Sequence, residues 1–276
     1  MQINPQKMHQ PLTSIHPEAK IHPSVVIEPF TCIHKNVEID EGTWIGPNVS
    51  ILEGARIGKH CRVFPGAVIS AIPQDLKFNG EESLVKIGDN TTIREFVTVN
   101  RGTKASGETV VGNDCLIMAY VHIAHDCHIH DHVILSNAVN LAGHIEIFDW
   151  AIVGGMSAVH QFVRIGAHSM IGGGSLVRKD VPPYVKAARE PLIFTGVNSI
   201  GLSRRGFPLE TIRLIEDIYR IIYLKGLNVS HALQTIQEEI PFSPELQNIL
   251  NFIQGSSRGL IKGPGSERLL QTDDDF

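Results

Sequence analysis

The sequence has little of several features that define other protein classes. Only 6% of its 276 residues are aromatic, and four are cysteine. The formal net charge of −5 argues against broad nucleic-acid binding. No run approaches the roughly 18 apolar residues that span a membrane, and MQINPQKMHQ lacks the apolar core of a signal peptide. We therefore expect a soluble, cytoplasmic protein that binds no nucleic acid and does not insert into a membrane.

The cysteines show no CxxC pair. Cys61, Cys115 and Cys127 share one position of a repeat at which small inward residues recur. Four cysteines could form two disulfides, but equivalent repeat positions favour buried thiols. Free thiols suit a reducing compartment.

What the sequence does have is a six-residue repeat. From Ile15 to Val177, 25 of the 28 positions spaced by six are Ile, Leu or Val. The fifth residue of each hexad is small or β-branched, without a break from Val25 to Ala67, and the second is often Gly. Neither the helical period of 3.6 nor the strand period of 2 produces this pattern.

A period of six suits a short strand followed by a sharp turn. Three such units close a triangular coil of 18 residues, and stacked coils lie about 4.8 Å apart, the distance between hydrogen-bonded strands. Burial of the aliphatic ladder stabilises the prism. The sequence therefore predicts a mainly β chain with a parallel β-helix over residues 1–188. Its left-handedness is taken from resemblance to known hexapeptide-repeat proteins.

The ladder is broken at Asp75, Glu81 and Ala105. These breaks predict loop insertions at residues 72–86 and 100–110, and loops on a rigid scaffold often carry binding groups. The Gln-Asp-x-Lys cluster at 74–77 could bind a polyhydroxylated ligand, or could belong to an ordinary charged loop.

Beyond the repeat, the segment VPPYV (181–185) breaks the pattern, and residues 189–276 read as a C-terminal helical domain. Apolar residues at helical spacing follow Pro208, and Gly226 should end that helix. Two further helices should open on Ser230 and Ser243, because serine is a good N-cap.

An 18-residue coil places residues i and i+18 above one another. One column contains His125, Gly143 and Gln161, and another contains Asn137, Gly155 and Gly173. Over three coils the chain gathers four histidines: His122, His125, His144 and His160.

Three interpretations of these histidines stay open on spacing alone. A neutral imidazole can act as a general base near pH 7, with Asp126 orienting it and the Gly143 N–H approaching an oxyanion. Clustered histidines can also bind zinc. The third interpretation is solvated side chains on turns.

Residues 178–205 carry six basic and two acidic side chains, a local charge of +4. Such a segment suits an anionic partner or a phosphate group. A solvated charged surface is the competing interpretation.

Several strings resemble the acyl-carrier-protein–UDP-N-acetylglucosamine O-acyltransferase family of hexapeptide-repeat acyltransferases. The resemblance covers almost the whole chain, and the spacing of its central strings is highly specific. The strings are IPQDLK (72–77), HIAHDC (122–127), LAGH (141–144), GGMSAVHQF (154–162), IGAHSMIGG (165–173), DVPPYV (180–185) and GVNSIGLSRRGF (196–207).

The resemblance implies the first step of lipid A biosynthesis. An (R)-3-hydroxyacyl group would pass from acyl carrier protein to the 3-hydroxyl of UDP-N-acetylglucosamine, with His125 as general base, Asp126 beside it and the Gly143 N–H at the oxyanion. It implies a homotrimer with sites between subunits, and no metal or organic cofactor. The acidic carrier would suit the segment of charge +4.

The resemblance also implies a set of substrate-binding residues. Gln74, Asp75 and Lys77 would bind the sugar and hydroxyacyl groups, and Asn198, Arg204 and Arg205 the uridine and phosphate end. The cleft would be lined by His122, His144, His160, Gln161, Gly155 and Gly173. Glycine at 173, where the family limits acyl length, leads us to expect a long acyl chain.

The chain departs from the family pattern near Pro191 and at Ile200, where a Glu is common, so nucleotide contacts should differ. Two related transferases are rivals: the N-acyltransferase of the same pathway, and an enzyme that acylates a 3-amino sugar nucleotide. A zinc hydratase of the same fold and a purely structural solenoid are rivals from other classes.

Overall fold

The computed structural model describes residues 12–264 and is built from short strands followed by four helices. The strands are β1 (Ser14–Ile15), β2 (Lys20–Ile21), β3 (Val26–Ile27), β4 (Cys32–Ile33), β5 (Glu38–Ile39), β6 (Trp44–Ile45), β7 (Ser50–Ile51), β8 (Ala55–Ile57), β9 (Arg62–Val63), β10 (Val68–Ala71), β11 (Leu84–Ile87), β12 (Thr92–Ile93), β13 (Thr98–Asn100), β14 (Glu108–Val111), β15 (Leu116–Ile117), β16 (His122–Ile123), β17 (His128–Ile129), β18 (Ile134–Leu135), β19 (Asn140–Leu141), β20 (Glu146–Ile147), β21 (Ile152–Val153), β22 (Ala158–Val159), β23 (Arg164–Ile165), β24 (Met170–Ile171), β25 (Leu176–Val177), β26 (Val185–Ala188) and β27 (Ile193–Val197).

Every third strand up to β25 belongs to the same parallel sheet, so three sheets form the faces of a left-handed prism. The first sheet runs from β1 to β25, the second from β2 to β23 and the third from β3 to β24. We name the turns between the first and second sheets the first edge, those between the second and third the second edge, and those between the third and first the third edge. The hexad grid and the parallel β-helix predicted from it are confirmed.

The register explains the breaks in the ladder. Neighbouring coils pair residues 18 apart, as Ile123 pairs with Leu141. The spacing rises to 30 between Ile69 and Val99 and to 24 between Val99 and Ile123. The chain therefore leaves the prism twice at the first edge and returns in register. The excursions cover 72–83 and 101–107, shorter than the predicted 72–86 and 100–110, because β11 and β14 begin early and pair over four residues.

The ladder residues from Ile33 to Val177 are buried in the prism. The fifth-position thiols are free and donate to carbonyls across the coil, with Cys127 Sγ lying 3.1 Å from the Ala142 oxygen. Burial raises the pKa of Cys61 to about 11 and the pKa values of Cys115 and Cys127 to about 12. These are inert core thiols, as the repeat predicts.

The third sheet continues beyond residue 188. β26 pairs in parallel with β24, and β27 folds back antiparallel on β26, so sheet structure extends to Val197. The helices follow: α1 (Ser199–Arg204), α2 (Leu209–Leu224), α3 (Val229–Glu239) and α4 (Pro244–Gln254). The predicted domain limits at residues 1 and 276, and the segment MQINPQKMHQ, lie outside the described residues.

The helix ends agree in part with the predicted caps. Gly226 follows α2 with φ +69°, and Ser243 accepts a hydrogen bond from the Leu246 N–H at 3.0 Å. The cap of α3 is Asn228, which accepts from the His231 N–H at 2.9 Å, so the prediction of Ser230 was wrong. Asparagine caps a helix as well as serine does and stands two residues earlier. Within 12–264, no helix is both long and apolar enough to cross a membrane.

Candidate active site

The first edge places His125 directly over Gly143. A Cβ on Gly143 would lie 2.6 Å from His125 Cε1 and 2.8 Å from Nε2, closer than any side chain tolerates. The His144 N–H donates to the His125 carbonyl at 3.1 Å, which ties the two coils together. The column of His125 and Gly143 predicted from the sequence is therefore present, and glycine is required beneath the imidazole.

Asp126 is the immediate partner of His125. Its side chain has no exposed area, and Oδ2 lies 2.7 Å from His125 Nδ1, whereas His125 keeps 14% of its side chain exposed. Asp126 sits at a turn position with φ +59°, a conformation that aspartate tolerates better than most residues. The pair has the arrangement of a base and the carboxylate that orients it.

The loop at 101–107 supplies further donors to this carboxylate. The Thr103 N–H donates to Oδ1 at 2.9 Å, the Thr103 hydroxyl donates to Oδ2 at 2.7 Å, and the Ser106 hydroxyl donates to Oδ1. Burial would raise the pKa of Asp126, but these donors and His125 outweigh it and hold that pKa at about 2. Asp126 is therefore a carboxylate at neutral pH. Column arithmetic missed Thr103 and Ser106 because they lie in an insertion outside the 18-residue repeat.

His144 is the second imidazole at this edge. Its Nε2 lies 3.7 Å from Asp126 Oδ2, and its ring meets the His125 ring edge-on with centroids 5.1 Å apart. Phe162 stacks on its other face at 4.6 Å. Phe162 was not singled out by sequence reasoning, although it lies 18 residues after His144 in the same column.

The other histidines of the cluster have different surroundings. His122 lies on the outer surface of the first sheet, where Nδ1 is 2.7 Å from the Thr98 hydroxyl and burial lowers its pKa. His160 and Gln161 are exposed one coil after Gly143 along the prism, and His160 Nδ1 approaches the Gln161 carbonyl at 3.1 Å.

The Gly143 N–H is available for a ligand. Within residues 12–264 no carbonyl or side chain accepts a hydrogen bond from it. In other coils Pro47 and Pro65 occupy the same position, because the ladder does not use this N–H. Because Gly143 packs against the His125 ring, a free backbone N–H at this residue could stabilise an oxyanion.

The loop at 72–83 leaves the same edge two coils earlier in the chain. Gln74 and Lys77 are exposed, and Asp75 Oδ1 accepts from the Lys77 N–H at 3.0 Å. Glu81 Oε1 accepts from the Lys104 N–H at 3.1 Å and so joins this loop to the loop at 101–107. Across 12–264, no hydrogen bond or ion pair links Gln74, Asp75 or Lys77 to His125.

Gly155 and Gly173 lie at the third edge rather than the first. They stack as predicted, since a Cβ on Gly173 would lie 3.1 Å from the Gly155 carbonyl oxygen. Gly173 is exposed, and its missing side chain leaves an open surface.

Asn198 and Arg205 lie at the second edge, and Arg204 is the last residue of α1. Asn198 is buried and donates to the His168 carbonyl at 2.9 Å, which fixes the start of α1. Arg204 is exposed. Arg205 lies over the Trp150 ring at 5.1 Å and donates to the Trp150 carbonyl at 3.0 Å.

The segment of charge +4 is not one surface. Arg178 follows the last strand of the first sheet and pairs with Glu190 at 3.2 Å, whereas Arg205 lies on the second edge. The coil separates residues that are close in sequence.

His125, Asp126 and His144 could also hold a metal ion, because one donor atom from each lies within 4.8 Å of the others. These three residues are less suitable as metal ligands than their proximity suggests. Each Asp126 oxygen already accepts two hydrogen bonds, one of them from His125 Nδ1. A metal would have to displace these donors.

Comparison with known proteins decides the family. A family model described as Udp N-acetylglucosamine O-acyltransferase, Domain 2, matches residues 180–261, and a six-repeat bacterial transferase hexapeptide model matches 36–71 and 108–143. The acyl-[acyl-carrier-protein]–UDP-N-acetylglucosamine O-acyltransferase of Janthinobacterium sp. (strain Marseille) is 48% identical over 201 residues, which are 71% of this chain and 77% of that protein. The chain belongs to the UDP-N-acetylglucosamine O-acyltransferase family.

Solved members of the UDP-N-acetylglucosamine O-acyltransferase family share the whole architecture. The enzyme from Bacteroides fragilis is 52% identical with a TM-score of 0.91, covering 92% of this chain and all of that one. The Francisella novicida enzyme is 40% identical with a TM-score of 0.90, covering 96% of this chain and 99% of that one. The prism and the helical tail are therefore both family features.

Proposed function

We propose that this chain transfers a hydroxyacyl group from acyl carrier protein to the 3-hydroxyl of UDP-N-acetylglucosamine, with His125 as general base. Its relatives carry the name of this transferase, and the reaction begins lipid A biosynthesis in the family that the sequence resembles. We place it in the cytoplasm, where acyl carrier protein and sugar nucleotides occur. The observation that carries the proposal is the His125–Asp126 pair over Gly143, in a member of this family.

The chemistry follows from the tautomer that Asp126 selects. With the proton on Nδ1 held by the carboxylate, Nε2 of His125 carries a free lone pair. Nε2 takes the proton of the sugar hydroxyl as its oxygen attacks the thioester carbonyl. The C–O bond forms, the C–S bond breaks, and the departing thiolate takes the proton from the imidazolium.

We assign the Gly143 N–H to the thioester oxygen, on which negative charge develops during the transfer. It has no acceptor among residues 12–264, and Gly143 itself is buried. A preorganised donor in a partly dry site stabilises an oxyanion without reorganisation.

A homotrimer accounts for the outer surfaces of the prism. The second sheet carries a ladder of ion pairs, such as Lys20–Glu38 at 2.9 Å and Arg164–Glu146 at 2.8 Å, which suits solvent. The third sheet instead presents apolar residues outward, and the third edge has exposed aromatic and thioether side chains. They include Val26, Met170, Phe30, Phe96, Tyr120 and Met156. Exposed apolar surface of this extent requires a partner.

Packing the first sheet of one protomer on the third sheet of the next gathers the third edges at a threefold axis. The same arrangement brings the first edge of one protomer to the second edge of its partner. His125 and the loop at 72–83 would then share a cleft with the partner's Arg205. The site residues that lie apart in one chain would meet between subunits.

The decisive experiment is acyl transfer from a panel of hydroxyacyl carrier proteins to UDP-N-acetylglucosamine and to its 3-amino analogue. We expect transfer to the 3-hydroxyl, abolished in His125→Ala. We also expect long-chain donors to be preferred, because glycine stands at position 173, where the family that the sequence resembles limits acyl length. Full transfer by His125→Ala would contradict the mechanism. Preference for the amino analogue would indicate that the chain is the rival enzyme, which acylates a 3-amino sugar nucleotide.

Two measurements test the assembly. The solution mass should be three times the 30.4 kDa of the chain. Mixing inactive His125→Ala and Arg205→Ala protomers should restore part of the activity, because some clefts then combine two intact edges. A monomer, or a mixture without activity, would contradict sites between subunits.

The metal interpretation has its own test, since His125, Asp126 and His144 are close enough to be ligands. Metal analysis of purified protein and transfer after chelation separate it from the acid–base mechanism. Stoichiometric zinc, with activity lost on chelation, would favour a zinc enzyme of the same fold.

A further inference from the structure

We infer that Thr103 and Ser106 are positioning residues that fix the productive tautomer of His125 through Asp126. This inference rests on the proposed function, since it assigns a role to residues behind the proposed base. Both lie in the loop at 101–107, which no repeat position explains.

The hydrogen bonds of Asp126 divide evenly between its two oxygens. Oδ1 accepts from the Thr103 N–H and the Ser106 hydroxyl, and Oδ2 accepts from the Thr103 hydroxyl and His125 Nδ1. The side chain has no exposed area. Water therefore cannot replace a missing donor without entry into a closed site.

The loop donors determine how the carboxylate faces the imidazole. A carboxylate that rotates can offer either oxygen, or withdraw from the ring. Because three donors come from one loop, the carboxylate plane is fixed and Oδ2 points at Nδ1, 2.7 Å away. An ionised acceptor there keeps the proton on Nδ1 and the lone pair on Nε2, above Gly143.

Ser106 has one hydroxyl proton and two acceptors within reach. Its Oγ lies 2.8 Å from the Glu108 carbonyl oxygen and also contacts Asp126 Oδ1. The charged acceptor is the stronger of the two. The Ser106 proton is therefore assigned to Asp126.

The insertion is needed for this arrangement because, among the described residues, His125 is the one coil residue that donates a hydrogen bond to the carboxylate. A regular coil would carry Gly102 in the turn one coil before Asp126, at the position three after Val99. Six extra residues allow Thr103 and Ser106 to reach the carboxylate from the side. Thr103 is itself buried, at 6% exposure, so the loop closes over the carboxylate.

The test compares Ser106→Ala, Thr103→Val and the double variant with Ser169→Ala. Ser169 is a matched control, because its hydroxyl is buried and has no hydrogen-bond partner among the described residues. We expect kcat to fall about tenfold in each single variant and further in the double, the effect of losing hydrogen bonds to a charged group. KM for the sugar nucleotide should stay unchanged, and Ser106→Thr should restore kcat.

Nitrogen NMR of the His125 ring measures its tautomer directly. If Thr103 and Ser106 only stabilised the fold, their substitution would leave this tautomer unchanged. The wild type and Ser169→Ala should show one tautomer with the proton on Nδ1, and the double variant a mixture. Unchanged kcat in the double variant, or reduced kcat with an unchanged ring spectrum, would overturn the inference. If the wild type transfers no acyl group, the proposed function fails, while the ring spectrum still tests the positioning role.

Discussion

The first and second edges of the prism use the same backbone geometry and contain the same residue type for different purposes. His144 at the first edge and His132 and His168 at the second occupy equivalent turns, with φ near +60°. At the second edge, Trp150 stacks between the two histidines, with centroids 4.1 and 6.3 Å away. At the first edge the residue one coil before His144 in its column is Asp126 instead of an aromatic ring.

The two edges differ in whether their carboxylates are covered by a loop. Asp126 is closed over by the loop at 101–107, whereas the Asp114 side chain is 43% exposed and lies 3.9 Å from His132. Burial with Arg205 nearby lowers the pKa of His168 to about 4, so that ring is neutral and serves in a stack. The chemistry of a histidine in this fold depends on its neighbours and cover, and its repeat position alone does not fix it.

The largest expected effect separates the edges by activity. His125→Gln should lower kcat by about 10² to 10⁴, because the general base is lost. At the second edge the His60 ring likewise packs against a glycine of the neighbouring coil, Gly42, and His60→Gln should leave kcat within about twofold of the wild type. Steady-state acyl transfer measures both. Equal losses in the two variants would remove the distinction between the edges.

Substitution of the glycines that pack against these two rings should give the next largest effect on activity. Gly143→Ala should lower kcat about 10²-fold. The added Cβ would lie 2.6 Å from His125 Cε1 and would push the ring out of its position. Gly42→Ala places a Cβ 2.2 Å from the His60 ring at φ +71°. It should lower the melting temperature and leave kcat intact. Kinetics and thermal unfolding of both variants check this, and an active Gly143→Ala would show that the ring position is not critical.

A third effect concerns stability and pH. The folded pKa of Asp126, about 2, lies below its ordinary value of 3.8, so the ionised form stabilises the fold above pH 4 and this stabilisation disappears as pH falls through 2. Asp126→Asn should lower the unfolding free energy by about 2 kcal/mol near neutrality. Urea unfolding of both proteins at fixed concentration, between pH 7 and 2, should show the difference shrinking below pH 4. A constant difference would place its cause elsewhere.

The smallest effect is expected at the second edge. Asp114→Asn removes a partly exposed carboxylate 3.9 Å from His132. Exposed ion pairs contribute little, so the unfolding free energy should change by less than about 0.5 kcal/mol. The same urea titrations measure it. A loss as large as that of Asp126→Asn would show that cover by the loop is not what distinguishes the edges.

Much of the scaffold was predictable because the repeat marks the residues that are buried inside the prism. The aliphatic grid, the inward thiols and the column of His125 over Gly143 all follow from an 18-residue coil. The limits of the insertions did not, because Leu84 and Glu108 pair before the ladder resumes. Asn198, which the resemblance assigns to the uridine and phosphate end, is buried at the start of α1. Its amide satisfies a backbone carbonyl, a need that spacing does not reveal.

The sequence by itself determined the prism, its register and the neighbours of each turn residue, because a period of six buries the aliphatic ladder when three hexads close an 18-residue coil. The tertiary structure alone decided which histidine acquires a buried carboxylate. That choice depends on a loop outside the repeat, whose threonine and serine reach Asp126 across 23 and 20 residues of chain. Inserted residues do not belong to any stack of residues i and i+18, so their contacts depend on how the loop folds back on the edge.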